Sequence, residues 1–142
     1  MRALLDVNVL IALLDAAHVH HQIARAWLES NIEAGWASCP LTQNGCIRIM
    51  SQPGYPGAQA PAAVAARLAE AAATQWHEFW PDDLNSLETG VLDWSQVLGS
   101  RQLTHAYLLA LAVKHGGRLV TLDRAVALAA VRGAADHHLE VL

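Results

Sequence analysis

The chain has 142 residues, of which 54% are hydrophobic and 15% are charged. This composition supplies a sizeable core for a single domain over residues 1–142 and excludes a long disordered chain. The formal net charge of −4 at pH 7 provides no overall basic field, so a nucleic-acid partner has to be bound by a local group of cations.

Charged or strongly polar residues interrupt every apolar run, so we predict no membrane span. The first apolar run looks faintly like a signal peptide, but Asp6 and Asn8 within it argue against secretion. Cys39 and Cys46 lack the spacing of a metal-binding pair, and we interpret both as buried apolar residues without a disulfide. We therefore expect a cytoplasmic protein.

The first half of the chain is predicted to alternate between short strands and helices. A strand over 2–6 is followed by a helix over 8–15, for which Asn8 is the expected N-cap. A second helix over 18–35 ends at Gly35 and leads into a strand over 36–40. The next helix, over 41–52, is expected to be capped by Thr42.

The second half begins with a loop rich in Gly and Pro, followed by an Ala-rich helix. The segment 84–100 is irregular, and the apolar helix after it is predicted to begin after Thr104 and to end at Gly116. The remaining predicted elements are strands over 76–81, 117–123 and 138–142 and a helix over 124–133. Strands that alternate with helices indicate an α/β fold with a parallel sheet and helices on both faces.

Two acids, Asp6 and Asp123, are the first charged residues after predicted strands. Each of them alone is as readily explained as the cap of the next helix. Ligands of open α/β sheets bind beyond the carboxyl ends of the strands, so two acids in equivalent positions favour a shared site. Converging carboxylates repel one another unless a cation lies between them, and Mg²⁺ or Mn²⁺ prefers such oxygen ligands.

His105 lies in the first turn of the predicted apolar helix, where the positive end of the helix dipole disfavours a protonated imidazole. Since a neutral imidazole is able to bind a metal, we expect His105 to be neutral and to be a ligand or a neighbour of one. Two alternatives to a ligand role remain: His105 stands at a site that has lost an acid, or it serves only in packing.

Three blocks of sequence, LLDVNVLIALLD, CPLTQNGCIRIMSQPGYP and RQLTHAYLLALAVKHGGRLVTLD, together resemble the PIN-domain ribonucleases of the VapC toxin type. The resemblance implies a PIN-like three-layer sandwich with a central parallel sheet, in one domain over 1–142. It also implies an endoribonuclease that cleaves RNA with Mg²⁺ or Mn²⁺. A cognate VapB-like antitoxin that covers the site, and a homodimer, are the implied partners.

The resemblance implies a site of four acids, but two of the four positions hold other residues in this chain. Asp6 and Asp123 match the first and last acids, whereas Gln43 and His105 stand where a Glu and an Asp are usual. We predict that these four residues are catalytic and cluster at one edge of the sheet. The expected metal ligands are Asp6, His105 and Asp123, with Gln43 as an uncharged group that positions water.

Four further residues are predicted to support this site. Asn8 and Thr121 match family positions beside the acids, and Arg48 and Arg101 are candidates for contacts with RNA phosphates. Each arginine is more readily explained as a solvated surface residue. The five tryptophans suggest apolar surface for a partner and are the residue-level argument for a homodimer.

Two rival interpretations remain open at this level. The loss of two acids is also typical of a degenerate PIN module that binds antitoxin or RNA and cleaves weakly or not at all. A phosphoacceptor domain of the receiver type is disfavoured, because only one Asp follows the first strand and the single lysine, Lys114, ends a helix.

Overall fold

A five-stranded sheet divides the protein into two layers of helices in a computed structural model that describes residues 1–142. The strands are β1 (Ala3–Leu5), β2 (Trp36–Ser38), β3 (His77–Phe79), β4 (Arg118–Thr121) and β5 (Leu139–Val141). The helices are α1 (Val7–Leu14), α2 (His21–Asn31), α3 (Pro40–Met50), α4 (Pro61–Ala72) and α5 (Ser100–Lys114).

The strands are all parallel and lie in the order β3-β2-β1-β4-β5, which confirms the predicted sheet. The central strand β1 pairs with β4 in a register that sets Leu5 opposite Val120. The residues that follow these two strands therefore emerge side by side at the same edge of the sheet. This pairing brings the strand-end acids into one neighbourhood.

The two faces of the sheet carry separate cores. Leu4 and Leu119 belong to a core that includes the apolar side of α5, whereas Leu5 and Val120 belong to a core with α1, α3 and α4. Strands that are covered on both faces are apolar at successive positions, which explains why the sequence shows no alternation there. The predicted three-layer α/β sandwich is confirmed.

The helix boundaries differ from the predicted ones at two places that affect the site. Helix α5 begins at Ser100 with Gly99 at its N-cap, so Thr104 is inside the helix and does not cap it. The predicted helix over 124–133 is wrong, because only a 3-10 turn, Leu128–Ala130, forms there. Val131 instead makes an isolated antiparallel bridge to Leu92, which ties this segment to the loop before α5.

The predicted N-caps of α1 and α3 also shift. Asp6, not Asn8, caps α1, and its side chain accepts a hydrogen bond from the backbone N–H of Val7. Cys39 occupies the N-cap position of α3, and the Thr42 hydroxyl accepts a hydrogen bond from the Cys39 N–H at 3.0 Å. None of the helices is long and apolar enough to cross a membrane.

Candidate active site

Asp6 is a buried carboxylate at the junction of β1 and α1. Its Oδ1 accepts a hydrogen bond from the backbone N–H of Val7 at 2.7 Å. The positive end of the α1 dipole and this N–H both favour the ionised carboxylate in a position that is otherwise costly for a charge. The capping role and the site role of Asp6 are thus compatible, because Oδ2 remains available to other groups.

Two polar side chains fix Oδ2 of Asp6. The hydroxyl of Thr121, at the end of β4, donates to it at 2.7 Å, and the Asn8 amide lies at 3.4 Å. Asn8 is itself held, because its Nδ2 donates to Oγ1 of Thr121 and its Oδ1 accepts from the N–H of Leu122. The three residues form one network across β1, α1 and β4 that determines where the carboxylate of Asp6 points.

Asp123 lies two residues beyond β4 and is more exposed than Asp6, with 41% of its side chain accessible against 4%. Its backbone N–H donates to Oγ1 of Thr121, and its Oδ1 accepts from the N–H of Ala125. The same threonine therefore positions both acids, and Oδ2 of Asp123 is the oxygen that faces the site.

The ring of His105 lies between the two acids. Its Nε2 is 3.1 Å from Oδ2 of Asp6, and its Nδ1 is 3.6 Å from Oδ2 of Asp123. Only 15% of the side chain is exposed. The structure thus brings together three of the four residues that the sequence predicts to cluster.

The protonation state predicted for His105 is not supported by its surroundings. A hydrogen bond to Asp6 is the largest cause of a raised pKa of His105, against a smaller opposing effect of burial, and the charge of Asp123 adds to the increase. The dipole argument for a neutral ring also fails, because α5 begins five residues earlier and His105 is in its second turn. The surroundings therefore raise the pKa of His105 and do not support the expected helix-dipole effect.

One cavity of about 330 Å³ opens beside this cluster. Asp6 and Asn8 line it from β1 and α1, and Thr104 and His105 line it from α5. Helix α3 contributes Leu41, Gly45, Arg48 and Ile49 to its lining. A Cβ on Gly45 would lie 2.7 Å from a methyl group of Val7, so a larger residue there would push α1 and α3 apart.

Gln43 does not join the predicted cluster in the structure, and its predicted catalytic role stays a prediction. Its side-chain amide donates to Oγ of Ser38 at 2.9 Å, and Oγ of Ser38 is in turn 2.8 Å from Nε2 of His77. Positions 41, 45 and 48 share the helix face that lines the cavity, and position 43 lies about 200° around the helix from 41. The helical period of α3 therefore predicts that residue 43 faces away from the cavity, whereas the match to the family motif predicts that it faces the site.

The two predicted phosphate-binding arginines occupy different surroundings. Arg48 lines the cavity, in agreement with its predicted location, whereas Arg101 is exposed in the first turn of α5 and does not line it. Thr104 also lines the cavity, although the sequence predicts it only as the N-cap of α5. Thr104 directly precedes His105 on a helix that reaches the site, and this proximity is the feature of the sequence that predicts a lining residue.

The metal assignment to Asp6, His105 and Asp123 does not fit the donor set as it is arranged. No group of three or more His, Cys, Asp or Glu side chains in the protein could hold a metal ion. The two carboxylates each face a different nitrogen of one imidazole ring, so in this arrangement their shared partner is the ring of His105. Gln43, which the motif would supply as a further oxygen ligand, faces Ser38.

Comparisons with known proteins identify the family to which the chain is similar. The family model of the PIN domain matches residues 3–132. Ribonuclease VapC44 of Mycobacterium tuberculosis is 54% identical over 142 residues, which is the whole of both chains. Ribonuclease VapC39 of the same organism is 42% identical over 134 residues, which cover 94% of this chain and 96% of that protein.

A solved structure provides an independent comparison of the fold. The crystal structure of VapC20 of Mycobacterium tuberculosis, a toxin that cleaves the sarcin–ricin loop, superimposes with a TM-score of 0.58. The match covers 82% of this chain and 85% of that chain at 15% sequence identity. At this identity the likeness shows a shared α/β fold and no more.

Proposed function

Because the chain belongs to the PIN-domain family, with VapC-type ribonucleases as its relatives, we propose that it is a toxin that cleaves RNA at the His105 cavity. The observation that carries this proposal is the convergence of Asp6, His105 and Asp123 beside a cavity that Arg48 also lines. Acids, an imidazole and a guanidinium are the groups that phosphodiester hydrolysis needs.

Arg48 is proposed to bind the RNA phosphate. A guanidinium presents several N–H donors in a plane that matches phosphate oxygens, and it remains charged at any physiological pH. Its place in the lining of the cavity would hold the phosphate within the cavity, where it offsets the repulsion from the carboxylates. Since the chain has a net charge of −4, this local cation is needed to hold an anionic substrate there.

His105, Asp6 and Asp123 are proposed as the catalytic residues. Hydrolysis adds a water oxygen to phosphorus and releases an RNA oxygen that has to gain a proton. The ring of His105, when protonated, is a source of that proton, and the carboxylates beside it are able to accept the proton of the water. Asn8 and Thr121 are positioning residues, because they act through the carboxylate of Asp6.

The family's ribonucleases generally depend on a divalent metal ion, and Mg²⁺ or Mn²⁺ is the ion expected here. A bound ion would supply an activated water and a stabilised leaving oxygen. The arrangement of donors described above does not fit such an ion, so we assign the steps to the chain's own groups. The cleavage test below, with chelator, Mg²⁺ or Mn²⁺ added, measures whether the cleavage rate depends on the ion.

A degenerate PIN module is the second candidate function, and one observation favours it. Helix α3 brings no acid to the cavity, and a histidine occupies the third acidic position of the motif. The site therefore has two carboxylates where the resemblance implies four. Such a protein would still bind antitoxin and RNA but would cleave RNA slowly or not at all.

The proposed partners follow from the family. A VapB-like antitoxin is expected to cover the cavity, and a homodimer in the cytoplasm is the proposed form of the toxin. Of the five tryptophans, Trp36 and Trp80 are buried and only Trp94 is exposed, at 47%. The tryptophan argument for a dimer therefore depends on Trp94, together with exposed leucines at Leu87, Leu98 and Leu103. Sedimentation at micromolar concentration tests it, and a monomer would contradict it.

The test of the function is cleavage of a labelled mixed RNA pool, with chelator, Mg²⁺ or Mn²⁺ added. We expect the unmodified chain to cleave and Asp6→Asn to lose at least about 100-fold in rate. Gln43→Ala is the matched control, since its side chain lies outside the cavity, and it should keep its rate within a few-fold. An unmodified chain that binds the RNA but does not cleave it under any of these conditions identifies the degenerate module.

A further inference from the structure

Part of the lining of the cavity is aliphatic, although the chemistry proposed there is carried by polar groups. The aliphatic residues that line it, beside the polar ones, are Val7, Ile11, Leu41 and Ile49. Leu41 is 37% exposed, so part of its side chain remains in contact with water at the site. Ligand sites combine apolar lining with a few polar groups, so this part of the cavity fits an apolar portion of the ligand.

The aliphatic residues of α3 form a row with a notch at its middle. Leu41, Gly45 and Ile49 follow one another at intervals of four residues along the helix. Gly45 has no side chain, and Val7 of α1 lies against it, since a Cβ there would be 2.7 Å from a Val7 methyl group. The notch therefore has an apolar floor.

The notch has the width of one flat ring. Leu41 and Ile49 are eight residues apart, which is about 12 Å along the helix axis. A flat ring needs about 7–8 Å between the carbon atoms that contact its two faces, so one ring fits between the two side chains.

The start of α3 is held in place, and Leu41 with it. Pro40 is the first residue of the helix, and the backbone N–H of Leu41 donates to Oδ2 of Asp82 at 3.1 Å. Asp82 belongs to the loop after β3, so this bond ties the start of α3 to the sheet. A contact surface that is already ordered loses less conformational entropy when a ligand binds.

Arg48 indicates which ligand has such a ring. It lines the same cavity and lies about 20° around the helix from Leu41, so a cation stands beside the notch. Thr104 adds an exposed hydroxyl to the lining. A nucleotide joins an anionic phosphate to a flat ring with polar edges, and unpaired bases pack their faces against side chains in this way.

We propose that the notch is a base subsite, in which Leu41 and Ile49 hold the base of one unpaired nucleotide whose phosphate is bound by Arg48. The base has to leave its partner and its stack to enter, so the subsite selects which nucleotide reaches the acids. The proposal rests on the proposed function for RNA as the ligand, and it concerns binding and not cleavage.

The test is an NMR titration of the full chain with labelled leucine and isoleucine methyl groups, in the presence of chelator. The probes are the four nucleoside 5′-monophosphates and ribose 5-phosphate, which has the sugar and the phosphate but no base. We expect the nucleotides to shift the methyl signals of Leu41 and Ile49, because the ring current of a base acts on groups over its face. Ribose 5-phosphate should leave these signals in place.

Three variants separate the base from the phosphate. Leu41→Ser should weaken the binding of nucleotides by about fivefold and leave that of ribose 5-phosphate unchanged, because only the apolar contact is lost. Leu103→Ser is the matched control, since Leu103 is 42% exposed on α5 and does not line the cavity, and it should change neither. Arg48→Ala should weaken both kinds of probe by the same factor.

The methyl signals of the unmodified protein decide the question even if Leu41→Ser fails to fold. The proposal is overturned if nucleotides at millimolar concentration leave the signals of Leu41 and Ile49 in place, or if Leu41→Ser and Leu103→Ser weaken binding equally. A protein that cleaves RNA but binds nucleotides no better than ribose 5-phosphate contradicts this inference and supports the proposed function. One whose two methyl signals shift with nucleotides but that never cleaves RNA supports this inference and contradicts the proposed function.

Discussion

The hydroxyl of Thr121 donates a hydrogen bond to Oδ2 of Asp6 at 2.7 Å, across the pairing of β4 with β1. The same oxygen of Thr121 accepts the backbone N–H of Asp123 at 3.1 Å. One fully buried hydroxyl thus links both strand-end acids. This hydroxyl orients the carboxylates of the site. We therefore expect its removal to reduce the cleavage rate by more than the loss of a single hydrogen bond would.

Thr121→Val retains the shape of the side chain and removes that hydroxyl. We expect a loss of about 1.5–3 kcal/mol in the free energy of unfolding, because a buried charged acceptor loses its donor. RNA cleavage should fall by at least about tenfold, since Asp6 is no longer fixed. Urea unfolding and cleavage rates measure the two effects.

The control for this prediction is Thr42→Val. Thr42 is equally buried and hydrogen-bonded, to Cys39 at the start of α3, but it does not contact either acid. We expect a similar loss of stability with the cleavage rate retained. Equal losses of cleavage in the two variants would mean that Thr121 acts through stability alone.

The overall fold could be predicted because each strand is a short apolar run between helical segments. All five strands, β1 to β5, fall within the predicted ranges, and their parallel arrangement follows from the alternation with helices. The ends of elements were less predictable. The stretch before Thr104 carries no apolar pattern, so the sequence does not predict the first turn of α5. The segment 124–133 is rich in alanine, which favours a helix, but only a 3-10 turn forms there.

The site could be predicted only where it depends on the ends of strands. Asp6 and Asp123 follow directly from that rule, because the carboxyl ends of β1 and β4 meet at one edge. The packing of α3 against α1 determines which face of α3 points to the cavity. The family motif predicts Gln43 on that face, whereas in the structure its side chain contacts Ser38. The charge of His105 likewise depends on acids that are distant in sequence.

Gln43→Glu should not add an acid to the cavity. The new carboxylate would face Ser38 and the ring of His77, so neither Mg²⁺ binding nor RNA cleavage should change by more than about twofold. His105→Asp provides the positive comparison in the same calorimetric titration with Mg²⁺. If Gln43→Glu strengthens Mg²⁺ binding as much as His105→Asp does, the described orientation of residue 43 is wrong.

Arg48→Ala should weaken RNA binding, because it removes the cation on the wall of the cavity. We expect the slope of log affinity against log salt concentration to decrease by about 1, as for the loss of one phosphate contact. Arg101→Ala makes the same change of charge at an exposed residue that does not line the cavity. Fluorescence anisotropy with labelled RNA over a range of salt concentrations measures both variants, and an equal change in the two would contradict a specific role for Arg48.

His77 should make the protein less stable in acid. Burial is the largest cause of a lowered pKa of His77, so the unfolded chain binds a proton at a higher pH than the folded one does. The contribution to stability is complete above the unfolded pKa of about 6.5 and is lost as the pH falls below it through the folded pKa. His77→Gln should flatten the pH dependence of the unfolding temperature below about pH 6.5, and an unchanged profile would contradict this assignment.

An ion pair outside the cavity, between Arg118 and Glu140, helps to tie α2 to the sheet. Nη1 of Arg118 lies 2.8 Å from Oε2 of Glu140, which joins β4 to β5, and the guanidinium lies 5.5 Å from the ring centre of Trp27. The indole N–H of Trp27 donates to the other carboxylate oxygen of Glu140 at 2.8 Å. The side chains of Arg118 and Glu140 are 22% and 34% exposed, so the pair is only partly screened by water.

Glu140→Gln retains the shape of this contact and removes its charge. Because Arg118 is partly buried and would lose its only carboxylate, we expect the free energy of unfolding to fall by about 1–3 kcal/mol. Glu29→Gln breaks the pair with Arg25 on α2, which is mostly exposed, and should cost at most about 0.5 kcal/mol. Urea unfolding of the two variants separates these cases. Equal small losses would mean that the packing of Arg118 on Trp27, and not its charge, holds α2 on the sheet.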